Sequence, residues 1–166
     1  MYKRQGIGRS LARLFAGNSW TVAVSSRTAA DLISLQGEFE PKRIRTYPLD
    51  VSDLGATINV VDQIEKEIGI PDLVILNAGT HAAISVETFS AEKVRDLMEV
   101  NFMGVVNAFS EIIPRFTSAG GGHIAVVASL AGYRGLPSAS GYGASKAALI
   151  NTVSYTHLTL PTIYSV

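Results

Sequence analysis

Ser129, Tyr142 and Lys146 are the side chains whose types and spacing could do chemistry together. Tyr142 and Lys146 lie four residues apart, so on a helix they share one face. A phenol beside an ammonium makes an acid–base pair that can work near neutral pH, because the cation favours the phenolate. Ser129 ends the apolar run HIAVVAS, which reads as a buried strand. Its hydroxyl would then sit at a strand end, where open parallel sheets bind their ligands. Tyr-x-x-x-Lys also occurs on helices as a solvated surface pair. What it means here depends on the elements that precede it.

Residues 6 to 17, GIGRSLARLFAG, read as a turn and a first helix, with Ile7, Leu11, Leu14 and Phe15 at helical spacing and Gly17 as its stop. Gly6 and Gly8 would let a phosphate approach the N–H groups at the positive end of the helix dipole. A glycine-rich helix start without a ligand has the same appearance. TVAVSS (Thr21 to Ser26) has the β-branched content of a strand. Ser26 and Arg27 follow, with no acid, where a dinucleotide fold reads the adenosine ribose. An acid there binds a 2′-hydroxyl, whereas an arginine accommodates a 2′-phosphate. A solvated arginine at a loop start is the alternative.

Leu32, Leu35 and Phe39 mark a second helix, and IRTYPLDVSD a strand ending at Asp50-Val51. Asp50 could receive an adenine amino group or serve only as a turn residue. Asp53 can cap the next helix, whose stripe is Ile58, Val61, Ile64 and Ile68. Leu73 to Leu76 is a continuous apolar run, expected of a central parallel strand buried on both faces. It ends in Asn77-Ala78-Gly79, small residues that would let a ligand press on the backbone. A long helix is expected over 91–116, with Asn101 the polar interruption of its stripe. That asparagine could cap a kink, bind a structural water or belong to a site. Gly120 to Gly122 turn into HIAVVAS, and the Tyr142 helix runs to about Tyr155. Helices alternate with strands throughout, the pattern of a doubly wound α/β domain with a parallel sheet.

With 166 residues, 47% hydrophobic and 17% charged, the chain fits one domain with a sizeable core. Its 14 basic and 14 acidic side chains cancel, and no basic cluster points to nucleic acid or a membrane surface. There is no cysteine, which excludes disulfides and thiolate metal sites. No apolar run is long enough for a membrane span. A cytoplasmic protein without a metal centre is the expectation.

In order and spacing, these residues resemble the compact single-domain short-chain dehydrogenase/reductase family. The likeness covers about Gly6 to Val153 and rests on Gly6-Ile7-Gly8, Asp50-Val51, Asn77-Ala78-Gly79, Asn101, Ser129 and the YGASK of Tyr142 to Lys146. The resemblance implies a Rossmann-like domain over 6–153 and hydride transfer between a nicotinamide cofactor, NADP(H) favoured over NAD(H), and a carbonyl or secondary alcohol. Tyr142 would be the general acid or base, and Ser129 would hold the substrate oxygen. Lys146 would support Tyr142 and bind the nicotinamide ribose, and Asn101 would hold a water in a proton relay. Gly6, Ile7, Gly8, Ser26, Arg27, Asp50, Val51, Asn77, Ala78, Gly79, Tyr142 and Lys146 would bind the cofactor. The resemblance also implies a small-molecule substrate and a homo-oligomer. A non-redox dehydratase or epimerase of the same fold, or a catalytically silent dinucleotide-binding module, are the competing functions.

The sequence departs from the family at both ends. Only MYKRQ precedes Gly6, without the first strand and first glycine of the fuller motif, and the segment from 154 onward, SYTHLTLPTIYSV, matches no family segment. The expectation is a fragment lacking the first strand and the last two, with residues 1–5 and 154–166 foreign to it. The absent first strand would lie mid-sheet in the order 3-2-1-4-5 and leave two strand edges unpaired. Each buried backbone group without a partner costs about 1–3 kcal/mol, against a total stability of about 5–15 kcal/mol. The chain by itself is therefore expected to be unfolded or aggregated, and inactive.

Overall fold

The computed structural model describes residues 6–159, with side chains through Ser154. The two ends read as foreign lie largely outside this range. Residues 1–5 and 160–166 are not among the described residues, while 154–159 continue the last helix. The chain divides into two compact units. One comprises the residues through Asp72 together with Asn107–Gly122; the other comprises Leu73–Val106 and the residues from His123 on.

The first unit runs α1 (Ile7–Gly17), β1 (Val22–Ser26), α2 (Ala29–Gln36), β2 (Ile44–Pro48) and α3 (Leu54–Glu67). β1 and β2 pair in parallel, from Val22 opposite Ile44 to Ser26 opposite Pro48. Ala12, Ala16, Leu35 and Ile44 form the core, with Val22, Val24 and Phe39 packed against it. Small alanines on α1 let that helix sit close to the strands. Asp53 caps α3 as its position suggests, its Oδ1 accepting from the Ala56 N–H at 2.9 Å. Glu38 ties α1 from beyond the end of α2: it accepts from Arg13 Nε at 2.6 Å and Arg13 Nη2 at 2.9 Å, and from Arg9.

The second unit holds β3 (Leu73–Leu76), α4 (Ala91–Met98), a π-helical turn at Glu99–Met103, β4 (His123–Val126), a 3-10 turn at Leu130–Gly132, and α6 (Ser140–Thr159). Between the π turn and β4, α5 (Gly104–Ala119) begins in this unit and continues in the first after Val106. β3 and β4 pair in parallel from Leu73 opposite His123 to Leu76 opposite Val126, and the Val127 N–H extends the ladder to the Leu76 carbonyl at 3.0 Å. Ile84, Leu97 and Leu149 are buried to within 3%.

All described pairings are parallel, and they form two sheets of two strands each. Every strand thus has one edge without a strand partner among the described residues. Leu73 to Leu76 departs from expectation, being half-buried throughout rather than buried on both faces. A two-stranded sheet makes an edge of each strand, and solvent reaches it there. The single helix expected over 91–116 is interrupted by the π turn, which has Asn101 at its centre and fully buried. π turns within α-helices frequently mark functional sites.

Candidate active site

The second unit gathers Asn77–Gly79, Asn101, Ser129, Tyr142 and Lys146 through its turns and helix ends. Asn101 is the hub. Its Oδ1 accepts from the Thr80 N–H at 2.7 Å, and its Nδ2 donates to the Thr80 carbonyl at 2.9 Å and to Ser145 Oγ at 3.1 Å. Ser145, itself fully buried, donates in turn to the Tyr142 carbonyl at 2.7 Å. The Asn101 carboxamide is therefore committed to protein groups. It fixes the loop after β3 to Ser145 on α6.

Lys146 lies one turn beyond Tyr142 and is 4% exposed. Its ammonium donates to the Val127 carbonyl at 2.8 Å and stands 5.9 Å from the centre of the Tyr142 ring. Burial pushes the Lys146 pKa down, because removing water disfavours the charged form. A Cβ added at Gly79 would stand 3.4 Å from Asn101 Oδ1 and 3.6 Å from Lys146 Nζ. The strand-end glycine thus lies directly against both polar groups.

Ser129 caps the 3-10 turn, its Oγ accepting from the Ala131 N–H at 3.2 Å, which leaves the O–H proton to be donated. Two glycines bring this turn against α6. A Cβ at Gly143 would lie 2.9 Å from the Ala131 carbonyl oxygen, and one at Gly132 would lie 2.8 Å from the Lys146 carbonyl carbon. No side chain fits at either contact, so Ser129 is held beside the helix that bears Tyr142 and Lys146.

The first unit carries the other candidate residues. Gly6 is the N-cap of α1, and its extended backbone leaves the first turn with no side-chain cap and no acid. Ile7 and Gly8 open the helix behind it. Ser26 ends β1 with its hydroxyl on the Thr28 carbonyl at 3.3 Å, and Arg27 is exposed. Asp50 accepts from the Ser52 hydroxyl at 2.7 Å and the Ser52 N–H at 3.1 Å. Those bonds, and after them the charge of Arg27, hold its carboxyl below the ordinary range. The turn role of Asp50 is thus realised. Val51 follows it, and the Val51 carbonyl accepts from the buried Asn107 Nδ2 at 2.9 Å.

Sequence reasoning missed Asn107, Ser145, Gly132, Gly143 and His81. His81 stands against Tyr142, ring centres 5.0 Å apart and planes at 74°. Asn107 carried no usable signal, since it lies on the side of the helix away from the apolar stripe, with Ser110 and Glu111. The glycines flank the named residues, but only tertiary contact shows why they must be small.

An uncapped, acid-free helix start fits a phosphate, and a buried ammonium with two N–H groups beyond its bond to Val127 fits a sugar hydroxyl. Each group, within its own unit, offers donors of the kind a nicotinamide dinucleotide uses. Among the described residues no group of His, Cys, Asp and Glu could hold a metal ion.

An uncharacterised oxidoreductase of Myxococcus xanthus (strain DK1622) is 33% identical over 146 residues, covering 87% of this chain and 58% of the relative. The chain thus spans little more than half of that protein. The closed form of a serine dehydrogenase complexed with NADP+ superposes with a TM-score of 0.90 at 22% identity, covering 97% of this chain and 65% of the other. A gluconate 5-dehydrogenase from Burkholderia cenocepacia J2315, in complex with NADP and tartrate, superposes at 0.84 with 23% identity, covering 94% and 62%. These likenesses show a Rossmann-like α/β fold. The short chain dehydrogenase family model matches residues 3–161, and the chain belongs to that family.

Proposed function

We propose that the protein carrying this chain is an NADP(H)-dependent oxidoreductase acting on a carbonyl or secondary alcohol. The observation that carries the reading is the buried Lys146 ammonium 5.9 Å from the Tyr142 ring, in one cluster with Gly79 and Asn101. When bound, the nicotinamide supplies the hydride to the carbonyl carbon or accepts it from the alcohol carbon.

In reduction, the Tyr142 O–H gives its proton to the carbonyl oxygen, so hydride and proton together complete the alcohol. In oxidation, Tyr142 takes the hydroxyl proton. Lys146 keeps a positive charge beside the phenol, where negative charge develops, and its free N–H groups bind the nicotinamide ribose. Ser129 donates its hydroxyl proton to the substrate oxygen and so fixes where the reacting carbon stands. Asn101 holds the loop and α6 together, and Asn77, Ala78 and Gly79 give the cofactor a strand end without bulk. In the first unit, Gly6, Ile7 and Gly8 present uncapped N–H groups to phosphate. Arg27, exposed and with no acid at the end of β1, favours a 2′-phosphate and hence NADP(H), and Asp50-Val51 forms the adenine-side turn. The reading carries with it a cytoplasmic setting and pairing of copies. No helix among the described residues is long and apolar enough to cross a membrane.

The test follows NADPH oxidation at 340 nm against a panel of carbonyl compounds, using the full-length enzyme. Tyr142→Phe should lower turnover by about 10²–10⁴-fold while leaving NADPH binding intact. Unchanged turnover in that variant removes Tyr142 from its role. Turnover of a substrate with no net NADPH consumption would favour a dehydratase or epimerase.

A further inference from the structure

Tyr142 has a second titratable neighbour besides Lys146, borne by the loop after β3. The imidazole of His81 meets the phenol ring edge to face at 5.0 Å. The contact is built rather than incidental, because the segment that bears His81 is held at both ends. Asn101 grips the Thr80 N–H and carbonyl at 2.7 and 2.9 Å. Three residues past His81, the Ile84 N–H donates to the Ser138 carbonyl at 2.8 Å, and Ile84 bridges to Ala139 at the threshold of α6. Ile84 and Ala139 are both buried. His81 itself is exposed.

We propose that His81 is a positioning residue for Tyr142, bracing the phenol ring from the β3 loop and adding a positive charge beside it when protonated. The proposal rests on Tyr142 being the acid–base group. Between pH 5 and 8 imidazole is the side chain that ordinarily changes charge. The titratable side chains shown against the phenol ring are His81 from the loop and Lys146 from α6. Lys146 is turned to the Val127 carbonyl. When Tyr142 gives up its proton, negative charge appears on the phenol. A second cation nearby stabilises that charge, so carbonyl reduction should be faster with His81 protonated. A unit charge acting across about 5 Å of water-like surroundings changes a rate by about fourfold.

Two measurements test this in the full-length enzyme. The first is a nuclear magnetic resonance titration with ring-labelled tyrosine and no cofactor, the Tyr142 signal being assigned by its loss in Tyr142→Phe. That signal should move with an inflection between pH 5 and 8, and His81→Phe, which keeps an aromatic ring in place, should abolish the inflection. The second is the pH profile of kcat for carbonyl reduction. Turnover in the parent should fall about fourfold across the same window. His81→Phe should flatten that limb, and His81→Gln should flatten it too while also lowering kcat through the lost ring contact. An inflection that persists in His81→Phe, in either measurement, overturns the proposal. Turnover that survives in Tyr142→Phe overturns the acid–base reading instead, and the resonance titration reports the ring contact regardless of that outcome.

Discussion

Replacing Asn101 by leucine would strip partners from the Thr80 N–H, the Thr80 carbonyl and the Ser145 hydroxyl at once. Buried polar groups left this way cost about 1–3 kcal/mol each. The expected loss in a urea melt of the full-length enzyme is on the order of 3 kcal/mol, with kcat falling as the Tyr142 turn loosens. A variant as stable as the parent would show that the clamp contributes little. At this scale the sequence was informative wherever chemistry follows from residue type and short spacing. Tyr142 and Lys146 declare themselves because four residues on a helix are one turn. Asn101 was visible as a polar residue in an apolar stripe, but its partners were not, since Thr80 and Ser145 lie far from it along the chain. Gly132 and Gly143 were illegible for the same reason: each is glycine because another segment's backbone comes too near for a Cβ.

Among the elements, α1 and the end of α2 are coupled by charge. Arg13 and Arg9, through hydrogen bonds and then through their charges, hold the Glu38 carboxyl down to about 2 from an ordinary value of 4.5. The folded state therefore binds this proton more weakly than the unfolded chain does. The stabilisation is complete above pH 4.5 and is lost as the pH falls towards 2. Glu38→Gln should lower the denaturation midpoint modestly at pH 7, since the cluster faces solvent and salt screens it. Parent and variant should converge near pH 2, and a constant difference across that range would place the effect elsewhere. The helices and strands were legible because apolar periodicity and strand-end glycines set them. The break in the helix at residues 99–103 was not. Asn101 interrupts the apolar stripe there, but a single polar residue does not announce a π turn, which shows only in the folded backbone.

At the level of the whole molecule, the alternation of helix and strand was enough to give a doubly wound α/β class, and the family match over residues 3–161 agrees with it. The division into two compact units was not legible, since neither composition nor a linker marks it. Among the described residues each unit contains a sheet of two strands, and each of those strands has an open edge. Unpaired edges also offer N–H and carbonyl groups to other chains. The 166-residue chain by itself is accordingly expected to show a broad, non-cooperative melt by far-UV circular dichroism and no rise in Tm with NADPH. A sharp melt raised by NADPH would overturn that expectation.

The five-residue π turn at Glu99–Met103 has a consequence for how this segment tolerates insertions and deletions. A π turn accommodates one residue more than the α-helix around it. Deleting a single residue there would let α4 and α5 join as one regular helix, with the residues on either side keeping close to their present phase. The apolar stripe could re-form with little penalty, and the deletion would look conservative by hydropathy. Asn101 would nonetheless swing away from Thr80 and Ser145, and the site would come apart while the helix improved. Length at this point is therefore as much a part of the active-site specification as the identity of any side chain in it.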